Sequence, residues 1–156
     1  FIPAQKGKTH VLHIIRELLS FEPSSTGTDI AQALQYFSNA QKRHCTAFLI
    51  SDFIGVDGLE KPLMIASNRH EVNAIQIYDR RETELPNVGL VKFHDAETGQ
   101  DLWVDTAVAS VREQYASEWK QNQSRIEQLC TKTGVKRMSV RTDEDYVKAL
   151  MKLFKS

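Results

Sequence analysis

Apolar residues along the chain fall into two spacings, and the change from one to the other marks its elements. Val11, Leu12, Ile14, Ile15, Leu18 and Leu19 recur at three- and four-residue intervals, which predicts a helix capped by Thr9 and ended before Phe21-Glu22-Pro23. Its stripe is wide, so it is expected to pack on something large. A polar loop, Ser24-Ser25-Thr26-Gly27-Thr28-Asp29, then opens a second helix with Ile30, Ala33, Leu34 and Phe37 inward and Lys42-Arg43 at its cation-favouring end. Residues 45–52 follow, apolar or β-branched without alternation and ending in Ser51-Asp52. That pattern suits a parallel strand covered on both faces.

Gly55-Val56-Asp57-Gly58 reads as a turn and Pro62 as part of the first turn of a short helix. Residues 72–78 form a second strand ending in Asp79. A strand, a helix and a strand in succession imply a right-handed crossover and a parallel pair. Residues 89–95 and 102–104, joined through Ala96-Glu97-Thr98-Gly99, give a hairpin signal. The longest helix is expected to be capped by Asp105 or Thr106, to carry Val108, Val111, Tyr115, Trp119, Ile126, Leu129 and Cys130 inward, and to stop at Gly134. Arg112, Glu113, Lys120 and Arg125 read as its solvated face. A strand over 135–142 leads to a final helix opening on Thr142-Asp143-Glu144-Asp145, with Val147, Leu150, Met151 and Phe154 as core and Lys152 and Lys155 at its far end. The elements together predict one α/β domain over residues 1–156: a three-layer α/β/α arrangement with a mostly parallel, Rossmann-like sheet and a β-hairpin insertion.

Composition narrows the function more than the fold. A chain of 156 residues can bury roughly 70% of its unfolded surface as one domain. Twenty basic residues balance twenty acidic ones, which argues against a nucleic-acid partner. No apolar stretch reaches the roughly 18 residues needed to span a bilayer, so no membrane contact is expected of this segment. Cys45 and Cys130 lie in no zinc-like spacing. They read as buried free thiols in a reducing, cytoplasmic setting. The chain opens Phe1-Ile2-Pro3, like the tail of a strand, so the natural protein is expected to extend further toward its N-terminus.

Two strand ends and one helix start carry the candidate chemistry. Thr28 opens the second helix and Asp52 ends the strand after it, so a hydroxyl and a carboxylate can share one sheet edge, where open α/β sheets bind ligands. Such oxygens suit magnesium. The plain alternative is that Thr28 only caps its helix and Asp52 only caps the loop at 55–58. Asp52, Asp79 and His94 could also gather as a hydrolytic group. No nucleophile elbow, glycine-rich phosphate loop or HExxH accompanies them, so the chain is read as no enzyme. His10 and His13 stand one turn apart without further ligands and read as helix-surface residues.

The stretch Gly27-Thr28-Asp29-Ile30-Ala31-Gln32-Ala33-Leu34 resembles the Gly-Thr-x-x-x-x-Ala-Leu signature of von Willebrand factor A-like domains, and Leu49-Ile50-Ser51-Asp52-Phe53 resembles their apolar strand ending in Asp. The succession Ile2-Pro3, Lys6-Gly7, His13-Ile14-Ile15-Arg16-Glu17-Leu18, Ser51-Asp52-Phe53, Tyr78-Asp79, Glu84-Leu85-Pro86 and Thr142-Asp143-Glu144-Asp145-Tyr146-Val147 is similar to a bacterial family of unknown function. Members of that family carry such a domain and are commonly encoded beside MoxR-type AAA+ ATPases. The resemblance implies that residues 1–156 are the C-terminal part of the domain, truncated at the N-terminus. It implies Thr28 and Asp52 as the second and third elements of a magnesium site in the intact protein. The first element, an Asp-x-Ser-x-Ser loop, is absent from this sequence, so these residues alone are expected to hold magnesium poorly.

By the same resemblance the intact protein is an interaction module, in which a partner carboxylate completes the metal shell. Its implied partner is a MoxR-type AAA+ ATPase, in assembly or maturation of other proteins. A structural scaffold with a degenerate metal site is the alternative, and a metal-dependent hydrolase a further one. Without a flanking first strand, the edge of the strand at 45–52 is expected to pair with another copy, or with a missing N-terminal piece.

Overall fold

In the computed structural model, residues 2–22, 27–95 and 99–153 are described. Six helices and five strands occur among them: α1 (Lys8–Ser20), α2 (Ile30–Ala40), β1 (Thr46–Ser51), α3 (Glu60–Ser67), β2 (Glu71–Tyr78), α4 (Arg80–Thr83), β3 (Leu90–His94), β4 (Asp101–Asp105), α5 (Ala109–Thr133), β5 (Lys136–Arg141) and α6 (Tyr146–Leu153). The chain is a mixed α/β protein built on a three-stranded parallel sheet in the order β1-β2-β5. The predicted parallel pair forms: Thr46 sits opposite Glu71 and Ser51 opposite Gln76. β3 and β4 make the expected antiparallel hairpin, with Leu90 opposite Asp105. Its predicted turn at Ala96-Glu97-Thr98 lies outside the described residues, as do Phe154 and Lys155 of the last helix.

Register divides the sheet into two unlike faces. Ala47, Leu49 and Ser51 share a face with Val72, Ala74 and Gln76 and with Arg137 and Ser139. On this side lies the main core, where Leu34 of α2, Leu63 and Ala66 of α3, and Ile126 and Cys130 of α5 close over Val72 and Ala74. Both connections that step across the sheet in one direction carry their helices, α3 and α5, on this face, as right-handed crossovers require. On the opposite face, Ala149 and Leu150 of α6 pack against Ile75, Met138 and Val140. The expectation that the strand at 45–52 is covered on both faces fails: among the described residues β1 is the edge strand, its burial alternates along its length, and Ile50 stays 59% exposed.

Helix α1 departs from expectation. None of its residues is buried, and Leu18 and Leu19 are 73% and 84% exposed. Its amphipathic pattern is satisfied by no other described element, because sequence periodicity reports that a face is apolar and not what it meets. Its cap is Gly7 rather than Thr9. The cap of α5 is Val108 rather than Asp105 or Thr106, since both of those side chains are used elsewhere. Asp105 Oδ1 accepts from Ala107 N–H at 2.9 Å, while buried Thr106 donates to Gly89 O at 2.7 Å and accepts from Val88 N–H at 3.0 Å, tying the hairpin to the long helix. Arg112, expected to face solvent, instead donates to the carbonyls of Thr106 and Ala107. Gly134 ends α5 as predicted, at φ 68°, a left-handed conformation that glycine adopts without Cβ strain.

Ile126 is fully buried at the contact of α5 with the sheet core. Ile126→Ala is expected to lower unfolding stability by about 2–5 kcal/mol through lost transfer energy and a residual cavity. Urea denaturation followed by circular dichroism reads this directly, and a shift in midpoint corresponding to less than about 1 kcal/mol would place Ile126 outside the core.

Candidate functional site

Asp52 follows the last residue of β1, and the chain turns there in an unusual way. Phe53 has φ 56°, a left-handed conformation costing an L-residue roughly 1–2 kcal/mol. Its side chain is nevertheless 1% exposed within the main core, and full burial of a phenylalanine returns about 1.5–3 kcal/mol. Burial therefore outweighs the strain and fixes the turn. Three hydrogen bonds hold its backbone frame: Ser51 Oγ accepts from Phe53 N–H at 3.1 Å, Gln76 Nε2 donates to Asp52 O at 3.2 Å, and Asn122 Nδ2 donates to Phe53 O at 3.4 Å.

The Asp52 carboxylate remains exposed. Its Oδ1 accepts from Ile54 N–H at 3.1 Å and from the Ser51 hydroxyl at 3.3 Å. Among the described residues no hydrogen bond falls on Oδ2. Asp52 thus caps the turn at Ile54, just before the expected loop at 55–58, and the residue stays exposed.

Thr28 does not cap α2. That role belongs to Asp29, whose Oδ1 accepts from Gln32 N–H at 2.8 Å, and the exposed Thr28 hydroxyl makes no hydrogen bond with described residues. Ile30, two residues on, and Phe53 belong to the main buried cluster, so the segments carrying Thr28 and Asp52 both border that core. The donor set is of hard oxygens and suits magnesium in kind. It offers two of the six positions of an octahedral shell, and the described residues contain no group of three or more His, Cys, Asp or Glu able to hold a metal.

Behind Asp52 lies a polar network that local sequence patterns do not reveal. Gln76, fully buried in the central strand, accepts at Oε1 from Arg137 Nη2 at 2.7 Å and from Ser139 Oγ at 3.2 Å. Arg137 also donates to Gln123 on α5. The available signal was Gln76 itself, one of two amides, with Asn73, inside a largely apolar strand. A buried polar side chain must be paired, so it marks a cross-strand contact without naming the partner.

The second carboxylate, Asp79, stands at the end of neighbouring β2. Oδ1 accepts from Arg81 N–H at 2.8 Å and Oδ2 from the Thr142 hydroxyl at 3.1 Å, while Asp79 N–H donates to Glu82 Oε1 at 2.7 Å in a capping box. Thr142 was expected to cap the last helix; it bridges strand ends instead, and Asp145 accepts from Val147 N–H at the start of α6. Asp79, Arg80, Arg81 and Asp143 line a cleft of about 600 Å³ closed by Leu85 and Pro86. The backbone donor of Arg81, followed by the Thr142 hydroxyl, holds the Asp79 carboxyl below its ordinary value. His94 does not join this edge, since it contacts Asp101 at 2.8 Å across the hairpin. His10 and His13 lie along α1, with His13 3.7 Å from Glu17.

Because the folded-state carboxyl of Asp79 titrates low, its ionised form contributes stability above the ordinary carboxylate value. That contribution is lost as pH falls through the lowered one. Thr142→Val is expected to raise the Asp79 titration toward the ordinary value and so move the onset of acid destabilisation up in pH. Carboxyl-carbon NMR titration checks it; an unmoved Asp79 curve would mean the Thr142 bond contributes nothing.

The family described as "Protein of unknown function DUF58" matches residues 1–125. An uncharacterized protein of Mycobacterium avium is 29% identical over 99% of this chain and 92% of its own length. Uncharacterized proteins of Mycobacterium bovis and Mycobacterium tuberculosis are each 30% identical over 99% of this chain, which spans 49% of their length. No solved structure matches the chain.

Proposed function

The chain belongs to DUF58, a family of proteins of unknown function, and on that premise we propose that it is a protein-interaction module with a three-layer, von Willebrand factor A-like fold. The observation that carries this reading is the presentation of Asp52: an exposed carboxylate just past the C-terminal end of a parallel strand, next to a buried, left-handed Phe53, with the one oxygen Oδ1 used by local donors. Backbone strain of this kind persists where the surrounding structure over-determines it, and it concentrates at ligand-binding turns. Rigid presentation lowers the ordering cost of association. In this role Thr28 and Asp52 contribute to a magnesium site that a partner carboxylate completes, and the partner is a MoxR-type AAA+ ATPase acting in the assembly or maturation of other proteins in the cytoplasm.

Isothermal calorimetry of the full-length protein against that ATPase, with magnesium and with chelator, tests the proposal. Asp52→Asn keeps the shape and removes the charge, and it is expected to weaken magnesium-dependent binding by roughly tenfold or more, as loss of a desolvated charged contact costs about 2 kcal/mol or above. Residues 1–156 alone are expected to give little heat with magnesium. Equal affinity of wild type and Asp52→Asn, or no effect of chelator, would discard the metal-bridged reading.

A second contact is proposed at β1, which among the described residues pairs with β2 on one side only and exposes Ile50. Unpaired, uncharged strand edges template association. Residues 1–156 are expected to sediment as a dimer or larger species at micromolar concentration, and Ile50→Lys to restore the monomer. A wild-type monomer throughout that range would show that the edge does not self-pair.

A further inference from the structure

At the opposite end of the sheet from Asp52, two residues 25 positions apart meet. Cys45 Sγ lies 3.6 Å from His70 Nδ1, within the reach of a sulfur–nitrogen hydrogen bond. Both are pinned by backbone contacts. Cys45 O accepts from Glu71 N–H at 3.0 Å, and His70 N–H donates to Ala66 O at 2.9 Å at the end of α3. The Phe37 ring lies against the imidazole at a centroid distance of 4.8 Å.

His70 is 3% exposed and its Nε2 is buried without a hydrogen-bond partner. A histidine kept only for structure normally satisfies both ring nitrogens, and an orphaned buried polar atom costs about 1–3 kcal/mol. Among the described residues Nε2 has no hydrogen-bond partner, with the His44 ring at a centroid distance of 6.4 Å, and Nδ1 faces the thiol. Whichever tautomer the ring adopts, the Cys45 sulfur is its hydrogen-bond partner among the described residues. The adjacent carboxylate does not compete, since Glu71 is engaged by the Thr46 hydroxyl at 3.1 Å and lies 3.7 Å from Lys136 Nζ.

Cys45 is partly exposed, whereas Cys130 is 3% exposed and burial pushes its thiol up. The two free thiols therefore differ in both access and activation. Reactive cysteines are those that combine exposure with a neighbour able to take the proton.

We propose that Cys45 is a modification site that forms mixed disulfides with low-molecular-weight disulfides, with His70 as its base. Nδ1 takes the thiol proton as Sγ attacks one sulfur of the small disulfide. A new S–S bond forms to Cys45 and the original one breaks. The departing thiolate then takes the proton from the imidazolium, so that protein thiol plus disulfide becomes mixed disulfide plus small thiol, with the ring neutral again. The adduct would stand at the start of β1, beside α2 and the open sheet edge.

The test uses 5,5′-dithiobis(2-nitrobenzoate) on the whole chain at neutral pH, with peptide mass mapping. Native Cys45 is expected to react first and alone, faster than the same cysteine in the urea-unfolded Cys130→Ser chain by about tenfold, within the roughly 30-fold ceiling set by a free cysteine being a few per cent thiolate at pH 7. His70→Asn, which retains a polar group but no base, is expected to fall to the unfolded-chain rate while Cys130 stays protected, protection of Cys130 reporting an intact core. If native Cys45 reacts no faster than in the unfolded chain, or if His70→Asn keeps the wild-type rate with Cys130 still protected, the proposal is wrong. Should His70→Asn lose the protection of Cys130, the native-to-unfolded ratio of the wild type alone decides.

Discussion

The amide of Gln76 is the contact on which the sheet's working edge depends. It sits fully buried in the middle strand and reaches both neighbours, donating to the Asp52 carbonyl beyond β1 and accepting from Arg137 and Ser139 on β5. Through Arg137 the network continues to Gln123 on α5. A glutamine in this position is costly unless every one of its polar atoms is matched. Once matched, it permits one register and one placement of the turn after β1. The left-handed Phe53 and the exposed Asp52 carboxylate follow from that placement.

Uneven cover of the sheet is the second feature with functional weight. Three helices close over the face that carries Val72 and Ala74, and the polar network lies within that layer. On the other face α6 packs over β5 and β2, and among the described residues Ile50 of β1 stays exposed. Apolar surface left in water forgoes roughly 25 cal/mol per Å², so Ile50 on β1 and the apolar stripe of α1, both left exposed by the described residues, each cost stability unless something covers them. The exposed carboxylates Asp52 and Asp79 lie at the strand ends instead.

The two ends of the sheet differ in chemistry as well. At the C-terminal end, Asp52 and Asp79 terminate neighbouring strands, each tied by short-range donors and each exposed. At the N-terminal end the Cys45–His70 pair is partly to wholly enclosed and carries no carboxylate of its own. Oxygen donors in solvent suit cations and polar partners, whereas a thiol against a buried imidazole suits covalent exchange.

Much of this architecture was legible from local pattern. The second strand ending at Asp79, the hairpin and the Gly134 stop each depend on neighbours two to four residues away, and those periodicities are printed in the chain; the run at 45–52 was legible as a parallel strand but not as the edge strand of alternating exposure that it is. Asp52 and Asp79 were found as strand-end carboxylates for the same reason. What required tertiary structure was the choice among competing long-range partners. Thr142 bonds Asp79 63 positions away instead of capping α6, Thr106 joins the hairpin instead of opening α5, and Cys45 meets His70. The stripe of α1 gave no sign that the described elements leave it uncovered. A hydroxyl, thiol or apolar face has similar local propensity in each of these settings. Which partner it takes is decided by sheet register and helix packing, whose free energies come from contacts distant in sequence.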